Sequence, residues 1–368
     1  MKTLLISLST LSMLLPQLLR GDGVDEELGA AQNDAHQGVV KQTISQGKEK
    51  VKHKLAHAEE FGAKNPGGFF ITGGFLYWQA HEDGLEYATS SANISTATGK
   101  TYEPDFSWSP GFSLGVGYTL PVAIIDLELG WSRLFTHGRG AASNSPSTNL
   151  FQVLDYPGIG LSSVALSHAS SKWQLHYNVV DMLFSREFKV NRYLYMKPSG
   201  GLRLAWIQQN YRVTYDYLTT PMNTTLVHFK NQFRGVGVRA GLDAYWQLHH
   251  MFSIFAKGGF SLFQGKFHLR ETNELQADSL TPVTTYVNLK DELIRIVPEF
   301  DASLGARLEV GRYHTHYRFE LLAAWEYLLY PRQNQLFLFT DSFALGKGMR
   351  ERGDLSFQGL TLEALLHF

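Results

Sequence analysis

A chain of 368 residues can build one large domain or two, and 33 Lys and Arg against 34 Asp and Glu leave no charge surplus for holding nucleic acid. The lack of cysteine excludes disulfides, thiolate catalysis and Cys-ligated zinc or iron–sulfur centres. Aromatic residues reach 13% and glycine numbers 34, a composition suited to pleated strands with close approaches.

Met1-Lys2, an apolar stretch from Leu4 to Leu15 and a break at Pro16 have the layout of a secretory signal peptide, too short for a spanning helix. Gly21-Asp22-Gly23 supplies small residues for cleavage, so the segment is expected to be 1–23. Residues 24–66 are polar and rich in lysine. Val40, Ile44, Val51, Leu55 and Ala58 recur at helical spacing, which predicts one amphipathic helix in a polar extension. His53 and His57 stand one turn apart there without a third metal ligand nearby.

From Gly67 a two-residue period takes over, the signature of strands with two unlike faces. Phe69 to Ala88 reads as a first strand. Next, Phe112, Leu114, Val116, Tyr118 and Leu120 alternate with Ser and Gly, and Ile125, Leu127, Leu129 and Trp131 with Asp126 and Glu128. Trp173, Leu175, Tyr177 and Val179 oppose Gln174, His176 and Asn178, with a bulge expected at Val179-Val180 to return Asp181 to the polar face. Leu202, Leu204 and Trp206 flank Arg203. The runs 235–248, 252–262, 296–310 and 317–326 repeat the pattern, and Leu360, Leu362, Ala364, Leu366 and Phe368 end the chain on one apolar face. The expectation is an all-β, antiparallel, up-and-down transmembrane barrel over 67–368, with about ten strands. Twelve follow if 137–171 hides a hairpin near Leu150–Leu154 and Ser162–Leu166.

The connections near 120–122, 190–192, 249–250 and 311–314 read as tight, whereas 89–101, 137–171, 216–230, 270–292 and 330–354 read as long and polar. Such alternation puts the tight turns on the periplasmic side and the long loops outside. Trp108, Trp131, Trp173, Trp206 and Trp325 then fall at the outer strand ends, and Trp246 and Phe368 at the inner ones, as two interfacial girdles.

Charges on the opposite faces imply a wet lumen, because an unpaired charge in a dry core is very costly. Arg203, Arg239, Asp243, Lys257, Glu299, Asp301, Arg307, Glu309, Arg318 and Glu320 are the expected pore lining. Their alternative use is to pair and brace the wall. Asp126, Glu128 and Glu326 share these faces, and inward Gly115, Gly117, Gly235, Gly237, Gly241, Gly259 and Gly305 are expected to widen the bore. No catalytic motif stands out. His137, His168 and His314 to His316 are candidates by residue type alone, so the chain is expected not to be an enzyme, and no cofactor or metal is expected.

The final strand resembles the closing strand of bacterial outer-membrane barrels. That resemblance makes Phe368, with Leu366, Ala364 and Leu362, the expected signal for the barrel-insertion machinery. Gly73-Gly-Phe-Leu-Tyr-Trp-Gln-Ala-His-Glu-Asp-Gly-Leu-Glu-Tyr-Ala88, Tyr177-Asn-Val-Val-Asp181, Arg186-Glu-Phe188 and Pro198-Ser-Gly-Gly-Leu-Arg-Leu-Ala-Trp-Ile-Gln-Gln209 resemble the Legionella-type, chlamydia-like pore-forming major outer-membrane proteins. The resemblance runs from about Gly67 to Phe368. It implies an outer-membrane porin for ions and small hydrophilic solutes, touching outer-membrane lipid and lipopolysaccharide and able to form homo-oligomers. Chlamydial relatives use cysteines in an oxidised envelope network, which this chain cannot join. The rival expectation is a surface-structural protein or adhesin whose lumen is plugged and whose loops do the work.

Overall fold

The computed structural model describes residues 68–92, 98–121, 125–154, 164–218, 223–277, 281–311, 317–340 and 346–368. The expected signal peptide and helical extension lie outside them. Ten long strands form the wall: β1 (Gly68–Glu82), β2 (Trp108–Leu120), β3 (Ile125–Ser143), β4 (Leu166–Ser185), β5 (Leu194–Tyr217), β6 (Thr224–His249), β7 (Phe252–Gln276), β8 (Thr284–Gly311), β9 (Arg318–Tyr330) and β10 (Leu355–His367). Each pairs antiparallel with the next, and β10 pairs with β1, so the sheet closes without a free edge. A twelve-stranded wall is ruled out by this closure. Asn149–Gln152 is a short strand that pairs along its length with Ala88–Ser91 and touches the wall only at the single pairing of Leu150 with Leu166.

Closure follows from the alternation of side chains. Phe75, Leu114, Leu129, Leu202, Val238, Leu262, Leu304, Leu321 and Leu362 all stand exposed on the outer surface, forming a continuous apolar belt. Water cannot cover a belt of that extent cheaply, and lipid can. Tyr77 on β1, Trp108 on β2 and Trp325 on β9 crown it, with ring centroids 5.5 and 5.9 Å apart in succession. Arginine at Val238 (60% exposed) or Leu304 (67%) should therefore cost about 2–4 kcal/mol in a urea titration of the bilayer-embedded barrel. Arginine at inward Ser303 should cost much less, and equal losses would mean that lipid does not distinguish the faces.

Three expectations are corrected. First, the central strands are far longer than bilayer crossing requires: β5, β6, β7 and β8 have 24, 26, 25 and 28 residues. They run through much of what reads as loop at 216–230 and 270–292, and β3 and β4 through much of 137–171, leaving 144–165, 218–223 and 277–283 as the connections there. On β6 the belt ends at Val236, so the stretch 224–235 continues beyond it, roughly 30 Å of height at a tilt of about 40°. β1 conversely ends at Glu82 instead of Ala88, and its continuation folds inward. Second, β4 and β5 stay in register through Val179-Val180, with the shift at Asp216/Tyr217, so the predicted bulge is absent. Third, Trp173, Leu175, Tyr177 and Val179 consequently face the interior and are buried, and Trp173 leaves the girdle.

Candidate functional site

The interior has two unlike storeys. At the depth of the apolar belt, inward positions of the strands carry the charges, and they pair. Arg203 on β5 donates from Nε and Nη2 to both oxygens of Asp181 on β4, at 2.6 and 2.8 Å, and from Nη1 to Glu299 Oε1 on β8 at 2.8 Å. Arg239 on β6 is bidentate to Asp301 and lies 3.6 Å from Glu299. Nearer the tight turns, Glu320 meets Arg318 at 2.7 Å and both Arg307 and His367 at 3.6 Å. Lys197 reaches Asp126 at 2.8 Å, and the Arg307 guanidinium stacks 4.3 Å from the Tyr245 ring centroid. Bidentate pairs of this type are strong and directional, and they tie β4, β5, β6 and β8 together from within.

All ten expected lining residues thus sit on inward positions, where Asp243 faces Lys257 and Glu309 faces Glu320 in register. The sequence reading missed Lys197, because the strand was begun at Leu202 although Tyr195, Lys197, Ser199 and Gly201 continue its inward face. Between the charges lies a cavity of about 210 Å3 lined by Thr72, Glu128, Asp181, Lys257, Asp301 and Glu363, among others. It has room for a small cluster of waters.

Above this chamber the inward face turns aromatic. Trp78 (β1), Tyr177 (β4), Tyr330 (β9) and Phe357 (β10) meet with centroids 4.7–6.5 Å apart, and Tyr177 Oη lies 3.0 Å from Tyr330 Oη. Phe263 of β7 extends the layer from Tyr330, and Phe233 of β6 continues it from Phe263. All are buried. Of the glycines expected to widen the bore, Gly117 and Gly235 instead make space for rings, whereas Gly259 makes space for the Arg239–Asp301 pair. A Cβ at Gly235 or Gly265 would strike Phe233, and one at Gly117 would strike Phe70.

A second tier sits higher still. The segment after β1 folds into the lumen, where Tyr211 Oη donates to the Leu85 carbonyl and Tyr215 Oη to that of Tyr87, each at 2.6 Å. Asn334 from the β9–β10 connection donates to the Asp83 carbonyl at 2.8 Å, and Asn231 to the Gln333 carbonyl at 2.9 Å. Leu85, Tyr87, Leu150, Leu154 and Leu336 complete this packed upper core. Burial there holds the Glu82 carboxyl well above the usual carboxylate range, against the opposing hydrogen bond from Gln209.

The histidines scatter. His168 Nδ1 lies 3.0 Å from Ser143 Oγ on the outer face. Its register partner Asp216 accepts from Thr224 Oγ1, and among the described residues no carboxylate lies within ion-pair distance of His168. His137 pairs with Gln174 in register, and His314 to His316 fall outside the described residues. At the chain end, Leu362, Leu366 and Phe368 face outward, and the Phe368 amide donates to the Phe69 carbonyl at 3.0 Å.

The family model described as Legionella pneumophila major outer membrane protein precursor matches residues 64–368. No curated protein matches the chain. Among solved structures, the outer membrane protease OmpT of Escherichia coli aligns at 10% identity over 84% of this chain and 98% of its own, with a TM-score of 0.38. The Pseudomonas putida toluene transporter TodX aligns at 10% identity over 82% and 89%, TM-score 0.28. The beta domain of the Bordetella autotransporter BrkA aligns at 10% over 83% and 99%, TM-score 0.20.

Proposed function

The chain belongs to the Legionella major outer membrane protein family and is a ten-stranded barrel of the bacterial outer membrane, and from that premise we propose that it acts at the cell surface as a closed barrel. The observation that supports this reading is the layer of Trp78, Tyr177, Tyr330, Phe357, Phe263 and Phe233, buried and in continuous contact across the lumen. An apolar constriction excludes water and ions even where its diameter would admit them, and these buried rings supply one. Strands that continue far beyond the bilayer, with their inner faces filled, make a stiff stalk that carries the loops clear of the surface. That is the arrangement a surface-structural or adhesive protein needs.

The porin reading is favoured by one observation, the charged chamber below the layer. It is lined by more carboxylates (Glu128, Asp181, Asp301, Glu326, Glu363) than cations (Arg203, Arg239, Lys257) and would prefer cations if both tiers above it parted. Planar-bilayer recording of the refolded chain separates the two. The closed barrel gives no steady conductance at either polarity. Stable, ohmic single-channel steps would replace this reading with that of a narrow porin.

A further inference from the structure

Above the apolar belt, the outward face of β3 to β8 carries cations in cross-strand rows. The register sets Arg139, Lys172, Arg212 and His228 side by side on β3, β4, β5 and β6, and the row ends in Thr272 and Asn288. The next row towards the bilayer reads His137, Gln174, Asn210, Lys230, Arg270 and Lys290 through the same strands. Neither row contains a carboxylate.

The flanking acids are engaged or offset. Glu292 is held by Lys266 at 2.6 Å, Asp216 accepts from Thr224, and Glu274 stands beyond Thr272 on the side away from the bilayer. Among the described residues, Arg139, Lys172, Arg212, Lys230, Arg270 and Lys290 make no ion pair. Like charges directly opposed on neighbouring strands destabilise a sheet. Burial first, and then Arg212, Lys230 and Arg270, push the His228 imidazole down to about 4. Six strands, β3 to β8, therefore hold a repulsive surface that an anionic partner would relieve.

Position selects the partner. Arg212 and Lys230 each stand six residues past the last belt residue of their strands, Trp206 and Val236, roughly 15 Å higher at a tilt of about 40°. They lie on the side wall, on the same face as the lipid-contacting residues and below the loop tips. Molecules of the outer leaflet occupy that wall, and a soluble polyanion would meet the rim first. We propose that these two rows bind the phosphate groups of an outer-leaflet glycolipid, with Arg212 and Arg270 taking phosphate oxygens bidentately and Lys172, Lys230 and Lys290 completing the charge. Guanidinium and phosphate match as paired donors and acceptors, and ammonium groups serve as point charges.

The test uses the refolded full chain in lipid nanodiscs, titrated with purified phosphorylated lipopolysaccharide, the same material after dephosphorylation, inorganic phosphate and heparin. Each exposed cation beside an anionic lipid surface contributes about a factor of five, so Arg212→Gln/Lys230→Gln/Arg270→Gln should weaken binding of phosphorylated lipopolysaccharide about a hundredfold. Arg212→Lys/Arg270→Lys should keep most of it. Without glycolipid the triple variant should resist urea better than the parent, since opposed charges have gone, and lipopolysaccharide should stabilise the parent only. That reversal of order also shows that the variant folds. Equal binding by parent and triple variant, or undiminished binding of dephosphorylated material, overturns the proposal. So does heparin or inorganic phosphate binding these residues more tightly than lipopolysaccharide, which would assign the rows to a soluble polyanion or a free anion.

Discussion

Trp78→Ala should cost about 3–5 kcal/mol of barrel stability, the range for removing a buried large aromatic and leaving a cavity. Trp108→Ala and Trp325→Ala should each cost clearly less. Trp108 lies next to β1 on β2, and Trp325 on β9, across β10. What differs is the side of the wall. Trp78 is 3% exposed, with its Nε1 donating to Thr361 Oγ1 at 3.0 Å and its ring against Tyr177 and Phe357. Trp325 is 51% exposed on the outer face, where lipid can fill the space left by truncation. Urea or heat titrations of the three variants in the same bilayer, read by the mobility of unheated samples in gels, would rank them. If Trp108→Ala costs as much as Trp78→Ala, the interior is not packed as a core and the closed reading loses its support.

Arg203→Met should be as damaging, about 3–5 kcal/mol, because it strands two acids instead of removing a pair. Glu299 is fully buried, and Arg203 is the closer of its two cationic partners, at 2.8 Å against 3.6 Å for Arg239. Asp181 would lose both hydrogen bonds from the guanidinium. Neutralising the acids as well, as Arg203→Met/Asp181→Asn/Glu299→Gln, should restore most of the stability, since a buried ion cluster can often be replaced by neutral groups of similar shape at little cost. A triple variant no better than Arg203→Met would mean that Arg203 acts through packing of its stem.

The lipid-facing half of the barrel was legible because its pattern is local. Val236, Val238, Ala240, Leu242 and Ala244 alternate with Gly, Arg and Asp, and the structure keeps every one of them outward. Chain reversals were legible where turns are tight, as at His249-His250. The ten inward charges were legible for the same reason, and their partners were not. Arg203 and Glu299 are 96 positions apart and meet only because β5 and β8 lie across one lumen. No periodicity along a strand records that distance.

Alternation by itself determined that these segments are strands with two unlike faces, but not which face looks inward. Along β5, Trp206 is outward and apolar, whereas Gln208, Asn210, Arg212, Thr214 and Asp216 continue the same outward face as polar residues. Their neighbours Ile207, Tyr211, Val213, Tyr215 and Tyr217 turn in and are buried. Alternation alone therefore predicts Trp173 to Val179 outward and a bulge at Val179-Val180, whereas that pair marks the level where the polarity of the two faces exchanges. Below that level lipid lies outside and water inside. Above it water lies outside, and the strands bury their apolar face against one another and against the inward-folded segment after β1. The physical reason is that a strand's apolar face goes wherever water is absent, and where water is absent around a barrel is decided by how far each strand extends past the bilayer. Only the closed tertiary structure decides that.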